Sequence, residues 1–251
     1  MAELSDAQLD RLRRALLADP DLTTLDERFE LVRTIAEGGM GEVYEATDRV
    51  GSRRVAVKVL TGCSPELRRR FTLEAEILER LDHPAIVRHI AHGETTEARP
   101  YLAMEWLDGE SLAQRLRRGR LSVADTLLLA GRVTAALVAI HDLGVVHRDL
   151  KPSNIVLGGD DVAGARVIDF GIARWSETQA RTASGVLVGT PGYLAPEQAQ
   201  GRRDLDGRVD LFALGCVLFE CLTGTRAFGG SGLAPVVALI GMRSLRPSRE
   251  I

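Results

Sequence analysis

The run His147-Arg148-Asp149-Leu150-Lys151-Pro152-Ser153-Asn154, followed after a short spacer by Asp169-Phe170-Gly171, gathers a proton acceptor, a cation suited to phosphate and two hard oxygen donors. Phosphoryl transfer from a nucleotide needs such a set, because its catalysis is mostly positioning plus neutralisation of charge on the transferred group. Asp149 is the candidate acceptor of a hydroxyl proton, and Lys151 would hold the γ-phosphate as charge builds on it. Asn154 and Asp169 would supply oxygen ligands to an Mg²⁺ ion that already carries phosphate oxygens. A capped turn between helix and strand explains one Asp or one Asn, but not the whole set at this spacing.

Two upstream features could serve the same chemistry. Gly38-Gly39-Met40-Gly41 falls between two strand candidates, a hairpin turn whose bare backbone can approach a triphosphate closely. Such turns are common, and this one is not a P-loop, since no Gly-Lys-Ser/Thr follows it. Val55-Ala56-Val57-Lys58-Val59 sets one lysine in an apolar strand. Alternation points Lys58 to the face of Ala56, under the glycine turn, where a desolvated ammonium needs anionic partners. Glu74 can be one and nucleotide phosphates another; a snorkelling lysine and an ordinary helix-surface glutamate are the plain alternatives.

The elements that must position these groups change character along the chain. Asp6 to Ala18 carries Leu9, Leu12, Leu16 and Leu17 at helical spacing, a short amphipathic lead-in helix. Phe29 to Ile35, Val43 to Thr47 and Arg54 to Leu60 read as three antiparallel strands, Pro65 to Leu81 as a helix, and Ile86 to His92 and Tyr101 to Glu105 as two further strands. After Gly109 the chain turns helical: Ser111 can cap a short helix to Arg118, and Ser122 a long apolar one through Leu143. Short strands are expected at Ile155 to Leu157 and Arg166 to Ile168, then a polar segment from Trp175 to Ser184 and helices over Arg208 to Leu222 and Ala234 to Met242. A β-rich part followed by an α-rich part is an α+β pattern that predicts two lobes with a cleft between them.

Bulk properties set the class. With 251 residues, 45% of them hydrophobic, the chain can bury a sizeable core. A net charge of -3 argues against nucleic acid or an anionic membrane as the partner. The arginine clusters at 68–70, 117–118 and 202–203 read as solvated edges. Cys63, Cys216 and Cys221 form no C-x-x-C pair, so neither a disulfide scaffold nor a zinc site is expected, and the usage fits a reducing cytoplasm. The first residues show no basic n-region or apolar h-region, so no secretory signal is expected there, and the longest apolar stretches are broken by Arg132, Asp210 and Glu220, which argues against a membrane segment.

Taken in order, the glycine turn, Val-Ala-Val-Lys58, Glu74, His147 to Asn154, Asp169-Phe170-Gly171 and Ala195-Pro196-Glu197 resemble a eukaryotic-type Ser/Thr protein kinase of the bacterial branch, from Phe29 onward. The resemblance implies a bilobal kinase-like fold: a helical extension over 1–28, a β-rich lobe with one main helix over 29–107 and a larger helical lobe over 108–251. It implies ATP with Mg²⁺, or Mn²⁺ in its place, and transfer to Ser/Thr hydroxyls of protein substrates. Asp149, Lys151, Lys58 and Glu74 would be catalytic, and Asn154 and Asp169 the metal ligands. Ile35, Gly38, Gly39, Gly41, Val43, Ala56, Lys58 and Val156 would surround the nucleotide. Met104-Glu105-Trp106-Leu107 is similar to the hinge, with Met104 as gatekeeper and the backbones of Glu105 and Leu107 at the adenine edge.

Further implications concern control and completeness. Lys151 with Gly189-Thr190-Pro191-Gly192-Tyr193 resembles the Ser/Thr-directed subclass, and Asp210 the helix residue that ties down the catalytic-loop backbone. Arg148 is similar to the arginine that pairs with a phosphate on the activation loop, with Thr178, Thr182 and Ser184 as candidate autophosphorylation sites. A transient dimer of kinase domains is compatible with this control. Ala36 stands where the family has its first loop glycine. The helical lobe reads as lacking its last helices, including the arginine partner of Glu197, which keeps open a nucleotide-binding but inactive scaffold. A small-molecule kinase is disfavoured by the peptide-platform resemblance of Gly189 to Glu197.

Overall fold

The computed structural model describes residues 24–38, 41–61, 64–159, 161–170, 191–202 and 204–228. The lead-in helix, Gly39, Cys63, the segment from Trp175 to Ser184 and the helix expected over Ala234 to Met242 lie outside them. The chain divides into two compact units, one made of the chain through Arg68 with His89–Trp106, the other of Arg69–Arg88 with the chain from Leu107 onward.

The first unit is built on an antiparallel sheet of β1 (Thr24–Leu25), β2 (Phe29–Gly38), β3 (Gly41–Asp48), β4 (Arg53–Leu60), β5 (His89–Glu94) and β6 (Pro100–Glu105), in the order β1-β2-β3-β4-β6-β5. β4 shows why its sequence is a strand. Val55, Val57 and Val59 are buried while Ala56 and Lys58 are half-buried on the other face, the period of two that a pleated strand imposes. The valines join Phe29, Tyr44, Ala46, Tyr101 and Ala103 in one core, where the Phe29 and Tyr101 rings meet edge to face at 5.8 Å. Gly38 pairs with Gly41 across the glycine turn, and a Cβ on Gly41 would run into the carbonyl oxygen of Val59. Only glycine lets β3 approach β4 so closely there.

The strand expected over Ile86 to His92 is split. The Val87 amide donates to Val167 O at 3.0 Å and the Val167 amide to Ala85 O at 2.8 Å, so residues 85–87 pair in parallel with the second unit's β9 (Ala165–Val167). Pairing with β6 starts at His89, and a register shift between His89 and Ala91 leaves Ile90 as the extra residue of a bulge. One apolar run thus serves two sheets, which alternation cannot reveal.

The second unit takes most of helix α1 (Pro65–Glu79), whose buried face carries Phe71, Glu74, Ala75 and Leu78 at helical spacing. A short helix α2 (Leu112–Leu116) is closed by a Ser111–Gln114 capping box. Helix α3 (Val123–His141) starts where the Ser122 hydroxyl accepts the Asp125 amide at 3.0 Å, and its buried face packs on β9 and on helix α5 (Arg208–Thr223). By length and hydropathy α3 could cross a membrane. Its Arg132 donates to Pro84 O at 2.6 Å and Ala165 O at 3.3 Å, and one face, from Thr126 to Ile140, is buried in this unit while Leu127, Leu128 and Val138 are exposed. α5 ends at Gly224, whose φ of 74° is the left-handed closure that glycine adopts without strain. Its Cys216 and Cys221 are buried, and burial pushes both thiols up to about 12, as expected of small core residues.

A second small sheet orders β7 (Gly109–Ser111), β8 (Ile155–Gly158) and β9. β7 is absent from the sequence expectations because three residues carry no period. It depends on Gly109, at a φ of 151°, where a Cβ would collide with the Leu157 carbonyl.

One ion pair stands out in the first unit. Asp48, fully buried at the end of β3, accepts Arg28 Nε at 2.8 Å and Nη2 at 3.0 Å, Arg53 Nε at 3.3 Å and the Val50 amide at 3.2 Å. The Arg28 hydrogen bond, opposed by burial and aided by the Arg28 charge, holds the Asp48 carboxyl at about 2. Because the folded value lies below the ordinary one, this contribution is complete above about pH 5 and fades as the pH falls toward 2. Asp48→Asn is expected to cost on the order of 2 kcal/mol at neutral pH. Urea unfolding should show the variant's stability to be flatter than wild type between about pH 5 and pH 2.

Candidate active site

The site is built around one buried carboxylate. Asp210, in the first turn of α5, is fully buried; its Oδ2 accepts the His147 amide at 2.8 Å and its Oδ1 the Arg148 amide at 2.8 Å. His141 Nε2, at the end of α3, donates to Oδ2 at 2.8 Å. Three donors thus meet the demand of a buried anion and bind two helix ends to one loop. A Cβ on Gly207 would stand 2.6 Å from the His141 ring, so the residue that starts α5 is small to seat that histidine.

Arg148 pays the conformational strain. Its φ of 65° is in the left-handed region, unusual for a long side chain, and both of its peptide groups are held. Asp210 takes its amide, and Gln198 Nε2 of the short helix α4 (Pro196–Ala199) donates to its carbonyl at 2.9 Å. Gln198 Oε1 in turn accepts the Ala195 amide at 3.1 Å, which joins the Ala195-Pro196-Glu197 segment to the catalytic run. Burial lowers the Arg148 pKa, with the Asp210 charge opposing and the Arg70 charge adding to that shift.

With that backbone held, Asp149, Lys151 and Asn154 converge. Lys151 Nζ lies 2.7 Å from Asp149 Oδ2, and Asn154 Nδ2 donates to Asp149 O at 2.9 Å and to Oδ2 at 3.1 Å. Lys151 and Asn154 are buried while Asp149 is half-buried. Asn154 is fixed by a 3-10 turn, Pro152–Asn154, and its carbonyl accepts the Ile168 amide at 2.9 Å, which sets the strand leading to Asp169 beside it. Asp169 itself has a φ of 54°, a second left-handed residue that redirects the chain. Phe170 is buried with its ring edge-on to His147 at 5.6 Å.

The first unit gathers a different subset on one face of its sheet. Val43 lies directly opposite Lys58, and Ala56 directly opposite Met104, so register places Val43, Ala56, Lys58 and Met104 on the same side. Ile35 falls at a register shift between Thr34 and Ala36 and is 44% exposed. Gly38 and Gly41 flank the turn, Glu105 ends β6, and Gly39 lies outside the described residues. Glu74, Leu107, Val156 and Asp169 belong to the second unit, Glu74 on the buried face of α1 and Val156 in β8.

The donors fit a nucleotide-borne cation rather than a protein cage. Among the described residues no group of three or more His, Cys, Asp or Glu could hold a metal ion. Asn154, however, directs its amide nitrogen to Asp149, which leaves its oxygen, touched by the Ser153 hydroxyl at 3.4 Å, as the hard donor. One or two protein oxygens plus phosphate oxygens is the set Mg²⁺ prefers. Sequence reasoning identified Asp210 but missed His141, Gly207 and Gln198. Gln198 directly follows Ala195-Pro196-Glu197, the one signal that could have found it; His141 and Gly207 carry no local motif.

Asp210→Ala removes the acceptor of two backbone amides and one imidazole, so a loss of about 3 to 5 kcal/mol in stability is expected, read by urea unfolding. Asp210→Asn, which keeps one acceptor, should lose less.

The sequence matches the family model described as "Protein kinase domain" over residues 29–242. It is 40% identical over 221 residues to serine/threonine-protein kinase pkn2 of Myxococcus xanthus, covering 84% of this chain and 26% of that protein. It is 41% identical over 221 residues to serine/threonine-protein kinase PknA of Mycobacterium tuberculosis, covering 85% of this chain and 51% of that one. The crystal structure of Rad53 1-466 in complex with AMP-PNP superposes with a TM-score of 0.72 at 28% identity, over 92% of this chain and 57% of that one. The chain thus spans 26% and 51% of the two curated relatives. With its motifs in family order, its β-rich and helical parts and a family match over most of its length, the chain belongs to the protein kinase domain family.

Proposed function

We propose that this chain is a non-specific serine/threonine protein kinase that uses ATP and Mg²⁺. The observation that carries the reading is the convergence of Lys151 Nζ and Asn154 Nδ2 on the Asp149 carboxylate, at 2.7 and 3.1 Å. In the transfer, a Ser or Thr hydroxyl oxygen attacks the γ-phosphorus in line. The new O–P bond forms as the bond to the β,γ-bridging oxygen breaks, the hydroxyl proton passes to Asp149, and ADP leaves. Lys151 places its charge beside the oxygens of the moving phosphoryl group. Asn154 and Asp169 would hold Mg²⁺, which supplies charge neutralisation when bound.

Lys58 would meet the phosphates from the face it shares with Val43 and Ala56, with Glu74 as counter-charge. Val43, Ala56 and Val156 would enclose the adenine, Met104 would stand behind it, and the backbones of Glu105 and Leu107 would meet its edge. The AMP-PNP named with Rad53 and the names of the bacterial relatives support this donor and this acceptor class. The two buried, inert thiols are compatible with a reducing compartment.

Regulation is read from Arg148, whose half-buried guanidinium feels the second cation Arg70, a pairing suited to a phosphate. Autophosphorylation at Thr178, Thr182 or Ser184, which lie outside the described residues, would supply that phosphate.

With labelled ATP and Mg²⁺, Asp149→Asn is expected to lower phosphate incorporation by about 10²- to 10⁴-fold, the usual weight of a general base. Equal labelling of variant and wild type would sink the reading. Replacing Thr178, Thr182 and Ser184 together by Ala should leave an enzyme of low activity; full activity without phosphate would remove the regulatory part alone.

A further inference from the structure

The end of the first unit's sheet that carries the glycine turn is spanned by a single cation. Arg99 precedes β6, and its Nε donates to Leu60 O, at the end of β4, at 3.2 Å. Its Nη2 reaches Glu42 Oε2, one residue inside β3, also at 3.2 Å. Register explains the reach: Gly41 lies opposite Leu60, and Val59 opposite Tyr101, so the three strand ends β3, β4 and β6 are side by side. The planar fork of arginine presents separate, fixed N–H groups to the carbonyl and to the carboxylate, a geometry that a single ammonium matches less well.

Glu42 is held a second time. The Tyr44 hydroxyl donates to Glu42 Oε2 at 2.7 Å, and burial first, then this bond, raises the Tyr44 pKa well above its ordinary value. The arginine end is equally fixed. Thr95 accepts the Arg99 amide on its hydroxyl at 3.1 Å and donates its own amide to Arg99 O at 2.8 Å, while Ala98 sits at a φ of 58°. Arg68, in the first turns of α1, donates to Ala98 O at 2.5 Å and to Glu94 at 2.9 Å. A continuous set of contacts therefore runs from α1 through the β5–β6 turn to the residue next to Gly41.

We propose that Arg99 is a positioning residue for nucleotide binding: by clamping Glu42 to the end of β4 it fixes the start of β3 at Gly41, beside the glycine-rich stretch. The inference rests on the kinase reading above and adds to it a residue outside the nucleotide-contacting motifs. Such a residue acts on binding of one substrate rather than on the chemical step. Its loss changes KM for ATP and spares kcat.

The test uses the full-length protein, with steady-state kinetics for ATP and for a protein substrate and direct binding of a fluorescent ATP analogue. Arg99→Met is expected to raise the ATP KM and the analogue Kd about 5- to 10-fold, as for a lost charge-assisted bond that is partly exposed, with kcat and protein-substrate KM within about twofold. Arg99→Lys should recover part of the loss, and Glu42→Gln should add little on top of Arg99→Met, because the two act as one unit. An unchanged ATP KM in a folded Arg99→Met protein, a fall confined to kcat, or additive effects of the two substitutions would each overturn the proposal. If Arg99→Met does not fold, Glu42→Gln and Tyr44→Phe test the clamp from its other end, and normal ATP affinity in both overturns it. A wild-type protein that binds no analogue defeats the kinase reading and this proposal together; equal binding by wild type and Arg99→Met defeats this proposal alone.

Discussion

The arrangement of the run from His147 to Asn154 depends on the buried carboxylate of Asp210. A fully buried anion is costly unless its oxygens are satisfied, and here the amides of His147 and Arg148 and the ring of His141 satisfy them. The same bonds hold Arg148 in a backbone conformation it would not adopt alone, since its left-handed φ becomes stable only where its surroundings over-determine it. Asp149, next in sequence, is aimed by that strain. Gln198 closes the arrangement from the other side by donating to the Arg148 carbonyl, so the Ala195-Pro196-Glu197 segment is tied to the run from His147 to Asn154.

The first unit solves a different problem. Glycine brings little side-chain packing of its own, so the strands flanking a glycine-rich stretch must be fixed by other contacts. Its sheet meets this with close approach and with charge: Gly41 allows β3 to press on Val59, and Arg99 joins the ends of β3, β4 and β6. At the opposite end of β3, Asp48 is enclosed by Arg28 and Arg53. Charged side chains thus fix both ends of the strand that leaves the glycine turn, while the valines of β4 and the aromatic pair Phe29 and Tyr101 supply the apolar middle.

Much of this was legible in the sequence. β4 alternates and α3 is a long apolar run behind a Ser122 cap, and both fall within a few residues of expectation. The split of the 86–92 run was not legible, because an apolar segment looks the same whether it pairs with one sheet or two; only the amide partners of Val87 and Val167 distinguish them. β7 was missed because it is short and owes its existence to the space beside Gly109. The same limit applies to the site. Asp149, Lys151 and Asn154 stand in one short motif, whereas Arg99 and Glu42 are 57 positions apart and neither is unusual in its own neighbourhood.

The sequence by itself brought Asp149, Lys151 and Asn154 together, because they stand within six positions of one another and local order places a carboxylate, a cation and an amide side by side. Tertiary structure decided how they are held. The donors of Asp210 arrive from the end of α3 and from the catalytic run, 69 to 62 positions away, and Arg148 receives its second restraint from α4, 50 positions on. Those contacts exist only when packing brings distant segments together: the donors that a buried carboxylate needs are delivered by the fold, and the left-handed backbone beside Asp149 is held by them.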